Sequence, residues 1–376
     1  MAGKKGLKKR LIRGGFDLPF FVLVMILLML GLVMMFSASY AYAYAHYNNS
    51  FYFIKKQAVW AVLGIFIMYV TATFDYHRFH KVAYPILAAS YVFLVVVLFM
   101  PKSHGVRRWI PKPINFQPSE VAKFAVILVF AHIIAKNYSK MKTFKYGVLP
   151  YITILGSMAG LLVLEPHLSG TILILTIGFT LMFVGGTSLK WFGAGGGIAA
   201  GAILIIVLFT HLIDYAKSRL TYWLDPFSDA KGLGWQTIQS LYAIGSGGLM
   251  GLGLGNSRQK YLYISEPQND FVFSIVCEEL GFIGATIVIL LFALLVWRGF
   301  VIAMRAPDKF GSILAIGLTT QVGLQAALNI AVVTNSIPNT GISLPFFSYG
   351  GSSLVMLLFQ MGIVLSVSRF SSVEQT

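Results

Sequence analysis

Runs of about twenty mostly apolar residues recur along almost the whole chain, and no other feature restricts its fold as strongly. A helix that crosses a bilayer needs a run of that length, because each backbone amide must find its partner inside the segment. Ten stretches qualify, at about 18–40, 57–74, 82–100, 119–135, 147–164, 168–185, 190–211, 270–298, 310–334 and 343–368. Composition agrees: 57% of the 376 residues are hydrophobic and 11% charged, against roughly 45–50% and 25% in soluble domains. One water-soluble core cannot hide that much apolar surface. The expected fold is an all-α polytopic integral membrane protein. A single transmembrane domain over 18–368 would lie between a basic segment (1–17) and a short tail (369–376).

The formal charge of +16 would point to nucleic acid in a soluble protein. Here it reads as orientation, and no nucleic-acid partner is expected. With the N-terminus inside, 17 Lys and Arg but only 4 acids fall on the cytoplasmic side, leaving 12 cations and 9 acids on the other. The positive-inside rule then puts both termini in the cytoplasm. The basic start (Lys4, Lys5, Lys8, Lys9, Arg10, Arg13) imitates a signal peptide, but the apolar run behind it is long and many more follow, so it reads as a first span. A single cysteine, Cys277, forms no internal disulfide, and no Cys/His spacing fits zinc.

Two outer loops, about 101–119 and 211–269, exceed the length of simple connectors. Trp109, Tyr222, Trp223 and Tyr242 among their charges and glycines favour ordered structure. The glycine clusters do not make nucleotide sites. Gly195 to Ala200 lies inside an apolar run with no strand before it, and Gly193, Gly197 and Gly201 suit helix packing. The block from Gly245 to Gly255 lacks the Gly-Lys-Ser/Thr of a phosphate loop.

Ionisable groups inside or beside the membrane are the candidates for function. Asp270 opens the eighth run beside the long loop, where it reads either as a helix cap or as a chemical group. Glu120 and Lys123, three apart at the start of the fourth run, suit a structural ion pair lining a cavity. At 100° per residue Glu278 falls near the Asp270 face, whereas Glu279 points away and needs another partner. Arg107, Arg108 and Lys112 crowd the first loop, and Lys217, Arg219, Arg258 and Lys260 the second. These cations suit either phosphate oxygens or lipid headgroups.

The stretch Pro338-Asn339-Thr340-Gly341-Ile342-Ser343-Leu344-Pro345-Phe346-Phe347-Ser348-Tyr349-Gly350-Gly351-Ser352-Ser353 closely resembles the signature of the shape, elongation, division and sporulation (SEDS) family. Ser37-Ala38-Ser39, Lys56-Gln57, Trp60, Arg107-Arg108-Trp109-Ile110, Phe116 to Glu120 with Lys123, Arg305-Ala306-Pro307-Asp308 and the block from Ala243 to Lys260 extend the resemblance over nearly the whole chain. Two segments depart from it: Asn269 stands where Thr is common, and Glu165-Pro166-His167-Leu168-Ser169-Gly170 replaces a Gln-Pro-Asp-Leu-Gly type. The ending GIVLSVSRFS and the basic start followed by Asp17 are more similar to the division (FtsW) and sporulation branch than to the elongation (RodA) branch.

That resemblance implies a ten-span protein of the bacterial cytoplasmic membrane that polymerises peptidoglycan from lipid II. Its partners would be a class B penicillin-binding protein transpeptidase and other divisome proteins. The family's essential aspartate maps to Asp270, and its conserved Trp, Glu and Lys to Trp109, Glu120 and Lys123. Asp270 is then expected as general base, with Arg107, Arg108, Lys112, Arg219 and Lys260 on the substrate pyrophosphate and Glu278 in the cavity. Pro345, Ser348, Tyr349, Gly350, Gly351 and Ser352 form the signature loop. A divalent cation, Mg or Mn, held by pyrophosphate and Asp270 is the only cofactor expected. Rival readings are a lipid II flippase, a scaffold, or the same polymerase serving elongation or spore cortex.

Overall fold

The computed structural model describes residues 14–101, 107–110, 116–195, 223–230, 232 and 234–370. Among them helix is the only extended regular structure, apart from an isolated bridge between Ile110 and Phe116. The helices of ten or more residues are α1 (Leu18–Tyr47), α2 (Tyr52–Thr73), α3 (His77–Leu98), α4 (Pro118–Asn137), α5 (Leu149–Leu164), α6 (Leu168–Val184), α7 (Trp235–Gly247), α8 (Val272–Met304), α9 (Lys309–Val333) and α10 (Gly351–Arg369). Eight segments of the described chain are long and apolar enough to cross a membrane, and α6 is a shorter apolar helix. Of the expected run at 190–211 only residues 190–195 are described, and the rest lies outside the described residues. Helix α7, inside the expected second loop, is not a span.

The pattern of burial separates lipid-facing from protein-facing helices. In α4 83% of the spanning window is buried, against 22% in α3 and 28% in α2, so α4 is the central post and the others present apolar side chains outward. Such exposure suits hydrocarbon and would be prohibitive in water. The ends are fixed locally. Asp17 caps α1 by accepting from Phe20 N (3.0 Å) and pairs with Arg298 Nη2 (2.7 Å) at the far end of α8. Asp308 caps α9 by accepting from Gly311 N (2.9 Å).

Several helices start or stop away from the expected boundaries. Helix α1 continues past 40 to Tyr47, and α2 starts at Tyr52, five residues early. At 1.5 Å per residue the 30 residues of α1 span about 45 Å, beyond a hydrocarbon core of about 30 Å. Its last two turns therefore stand clear of the hydrocarbon. The tenth run begins as helix only at Gly351, because residues 343–350 form a buried irregular segment.

Helix α8 breaks at Gly281, whose φ of +68° favours glycine. The freed backbone groups are taken up by the glycine-rich block: Leu252 N donates to Glu278 O (2.9 Å), Gly253 N to Glu279 O (3.0 Å) and Phe282 N to Gly248 O (2.9 Å). Irregular backbone at this depth is tolerable because it is paired within the protein. A side chain at Gly281 would collide with the carbonyl of Leu249. Close backbone approach explains why this block is rich in glycine.

Candidate active site

A cavity of about 620 Å³ opens at the end of the bundle where α1, α3 and α9 finish and α4, α8 and α10 begin. Its walls are Tyr42 and His46 of α1, Gln236 of α7, Leu262 and 264–266, the segment 269–271, and Asn339 with Gly341. Asp270 faces this space. It is not a helix cap, since Phe271 holds the N-cap position of α8 and no side chain caps that end.

The backbone around Asp270 is clamped from two sides. Asn329, fully buried in α9, donates Nδ2 to Asp270 O (2.7 Å) and also to Ile342 O. Ser348 donates to Asn269 O (2.6 Å) while accepting from Leu344 N (2.7 Å), and Tyr349 N donates to Gln268 O (2.8 Å). Gln57 of α2 receives Gly350 N (3.2 Å). The 338–353 motif is thus a fixed collar around residues 268–270. Gly341, at φ +68°, lies so close that a Cβ there would stand 3.1 Å from Asp270 Oδ2.

The carboxylate itself is left open. Among the described residues no hydrogen bond is directed at its oxygens, although Arg108 and Glu266 act on it electrostatically. Burial pushes its pKa up to about 6, Arg108 opposing and Glu266 adding to the rise. Half-buried Arg108 donates Nη2 to Pro166 O, and its Nε is buried without a partner. The same guanidinium acts on Glu165, which is fully buried with neither carboxylate oxygen hydrogen-bonded. Desolvation raises Glu165 to about 8 and lowers neighbouring His167 to about 3.

The other expected residues divide. Glu120 and Lys123 pair at 2.8 Å, and Lys123 Nζ continues to Gln325 Oε1 (3.3 Å). Gln325 Nε2 in turn donates to Ser343 O (3.1 Å), so the pair braces the collar from below. Glu120 also lines a small cavity there with Pro345 and Ser348. Arg107 is exposed and donates to Leu98 O (2.6 Å), and Trp109 beside it is partly exposed. Lys112 and Arg219, like Lys217, lie outside the described residues.

Two assignments are corrected. Lys260 is not free for a pyrophosphate: it is fully buried and donates to Glu279 Oε1 (2.7 Å), Gly255 O (2.6 Å) and Ser37 Oγ (3.3 Å). Glu278 does not line the Asp270 cavity; it accepts from Arg258 N (2.9 Å) and the Ser257 hydroxyl and anchors that loop. The helical projection from Asp270 fails because the helix starts two residues later, at Val272. Asn329, Gly341, Tyr42, His46 and Glu165 were not singled out as site residues from sequence. An amide inside an apolar span was the available signal for Asn329.

Comparison with known proteins decides the family. The model of the FtsW/RodA/SpoVE cell cycle proteins matches residues 18–373. The chain belongs to this family. It is 40% identical to stage V sporulation protein E of Bacillus subtilis over 330 residues, covering 86% of this chain and 89% of that protein. It is 39% identical over 327 residues to a probable peptidoglycan glycosyltransferase FtsW of Geobacter sp., covering 86% and 88%. Among solved structures, a chain of a peptidoglycan synthase complex, studied for the coordination of polymerization and crosslinking, superposes with a TM-score of 0.78 at 30% identity, covering 94% and 98%. The rod shape determining protein RodA of Thermus thermophilus gives 0.68 at 26% identity, covering 94% and 97%.

Proposed function

We infer that this chain is a peptidoglycan glycosyltransferase that polymerises lipid II at the outer face of the cytoplasmic membrane during septal wall synthesis, with both termini in the cytoplasm. One observation carries the assignment of chemistry: Asp270 is held rigidly by its backbone while its carboxylate faces a cavity without a hydrogen-bond partner among the described residues. Buried carboxylates with a structural role are as a rule hydrogen-bonded.

Asp270 acts as general base. It takes the proton of an acceptor GlcNAc 4-hydroxyl as that oxygen forms a bond to the MurNAc anomeric carbon. The bond from that carbon to the pyrophosphate oxygen breaks with inversion, and undecaprenyl pyrophosphate departs with the electron pair. A pKa near 6 keeps Asp270 ionised at neutral pH yet basic enough to receive a proton. Arg108, with an unused buried Nε, is the described cation best placed to meet the leaving charge. A Mg or Mn ion would be held by Asp270, with substrate phosphate supplying further oxygens. Among the described residues no three His, Cys, Asp or Glu converge as a full cage. Such an ion would supply charge neutralisation to the pyrophosphate.

The partner is a class B penicillin-binding protein transpeptidase, in line with the neighbour solved within a peptidoglycan synthase complex. Purified wild type and Asp270→Asn, each with and without the cognate transpeptidase, should be assayed for glycan polymer from lipid II in detergent. Polymer from wild type and none from Asp270→Asn is expected. Full activity in the variant overturns the base assignment, and transport in vesicles without polymer in detergent would favour the flippase.

A further inference from the structure

The last turns of α1, which overrun the bilayer, need a reason to remain helical and exposed. They end in the cavity. Tyr42 and His46, one helical turn apart, stack with ring centroids 4.1 Å apart and planes 21° apart, and His46 Nδ1 is tied to Tyr42 O (3.0 Å). Both rings line the space that Asp270 faces. Other walls carry the carboxamides of Gln236, Asn269 and Asn339. Asn269 spends one donor on Glu266 Oε2 (2.7 Å), and Asn339 accepts from Gly341 N (3.2 Å). Each carboxamide keeps further donor or acceptor capacity.

An aromatic plate opposite several amides matches the face of a pyranose, whose C–H groups pack on aromatic carbon while its hydroxyl and acetamido groups exchange hydrogen bonds with carboxamides. Charge decides which part of a substrate enters. Among the described residues that line it none is Lys or Arg. A pyrophosphate finds no described cation there and belongs beside Arg108, which acts on Asp270 but does not line this space. A volume of about 620 Å³ falls within the roughly 300–1,000 Å³ of small-ligand sites.

We propose that Tyr42 and His46, with Gln236, Asn269 and Asn339, form the subsite for an uncharged N-acetylated sugar, the acceptor end, and present its hydroxyl to Asp270. This rests on the polymerase reading above. Tyr42 supplies the stacking surface and the amides select the acetamido group.

The test uses the full-length protein with its transpeptidase and soluble N,N′-diacetylchitobiose as a competitor of lipid II polymerisation. Wild type should be inhibited by the disaccharide and much less by cellobiose, which lacks acetamido groups. Tyr42→Ala should weaken that inhibition about tenfold, Tyr42→Phe should keep it within about twofold, and Gln236→Ala should narrow the gap between the two sugars. Size-exclusion profiles check folding, and if Tyr42→Ala is aggregated, Gln236→Ala decides. Inhibition unchanged in the folded variants, or no inhibition of an actively polymerising wild type, overturns the subsite. Failure of wild type to polymerise lipid II at all would instead count against the polymerase reading.

Discussion

Asp270 and Glu279 lie at the same end of α8, and the protein treats their carboxylates in opposite ways. Glu279 is fully buried and receives the Ser37 hydroxyl (2.7 Å), the Lys260 ammonium (2.7 Å) and Ser257 N (3.3 Å). Lys260 is as thoroughly used, with Tyr40 beneath it at 4.6 Å. Asp270 has its backbone fixed with equal care, yet nothing described bonds its oxygens, and the nearby Arg108 donates to a carbonyl instead. A desolvated charge without hydrogen bonds costs stability. Its retention marks a group kept for chemistry, whereas saturation marks a structural staple.

The sharpest way to break this contrast is to neutralise each carboxylate in turn. Asp270→Asn should lose about 10²–10⁴-fold in polymerising rate while melting at or above the wild-type temperature, because a poorly solvated charge has been removed. Stability and activity move apart only if Asp270 is unsatisfied. A fall in both would make it another staple.

Glu279→Gln should do the reverse, costing about 3–5 kcal/mol of stability by stranding the Lys260 ammonium. Thermal denaturation in detergent reads this directly. The double variant Lys260→Met, Glu279→Leu should recover part of the loss, since it removes both buried charges together. If the double variant is no better than the single, Lys260 has a role besides pairing with Glu279.

This distinction was only partly legible in the sequence. The apolar runs gave the spans because lipid demands length, and Asp270 stood out as the acid that opens an apolar run and through the family resemblance. The distinct partners of Glu278 and Glu279 were not legible, because helical spacing from Asp270 does not apply to a residue that precedes the helix. Lys260 was not, because a cation in a polar, glycine-rich loop carries no sign of depth until the loop folds back against α8. The overrun of α1 was hidden for a related reason: span boundaries follow hydropathy, and the tyrosines between 40 and 47 end the apolar signal without ending the helix. The collar's signature was readable as a motif, but not that Ser348 and Tyr349 grip the backbone on either side of Asn269.

The pH dependence of the rate probes the open carboxylate itself. With Asp270 at about 6, its basic form is lost as pH falls, so the rate should drop about tenfold for each pH unit below 6. A rate flat from pH 7 to pH 4.5, measured with folding verified at each point, would exclude Asp270 as the proton acceptor.

The smallest expected effect concerns Glu165, the second carboxylate left without hydrogen bonds. Burial raises it to about 8 against 4.5 for a free glutamate, so between those values the folded chain keeps a proton that the unfolded chain releases. Stability from this group is therefore complete below about pH 4.5 and declines as pH rises through 8. Glu165→Gln, permanently neutral, should melt close to wild type at pH 5 and a few degrees higher at pH 9. Ionised Glu165 also sets a second negative charge against Arg108, so wild-type polymerisation should weaken a few-fold above pH 8 and the variant should not. Parallel melting curves for the two proteins across this range would mean that Glu165 is saturated after all, and would move it to the same class as Glu279.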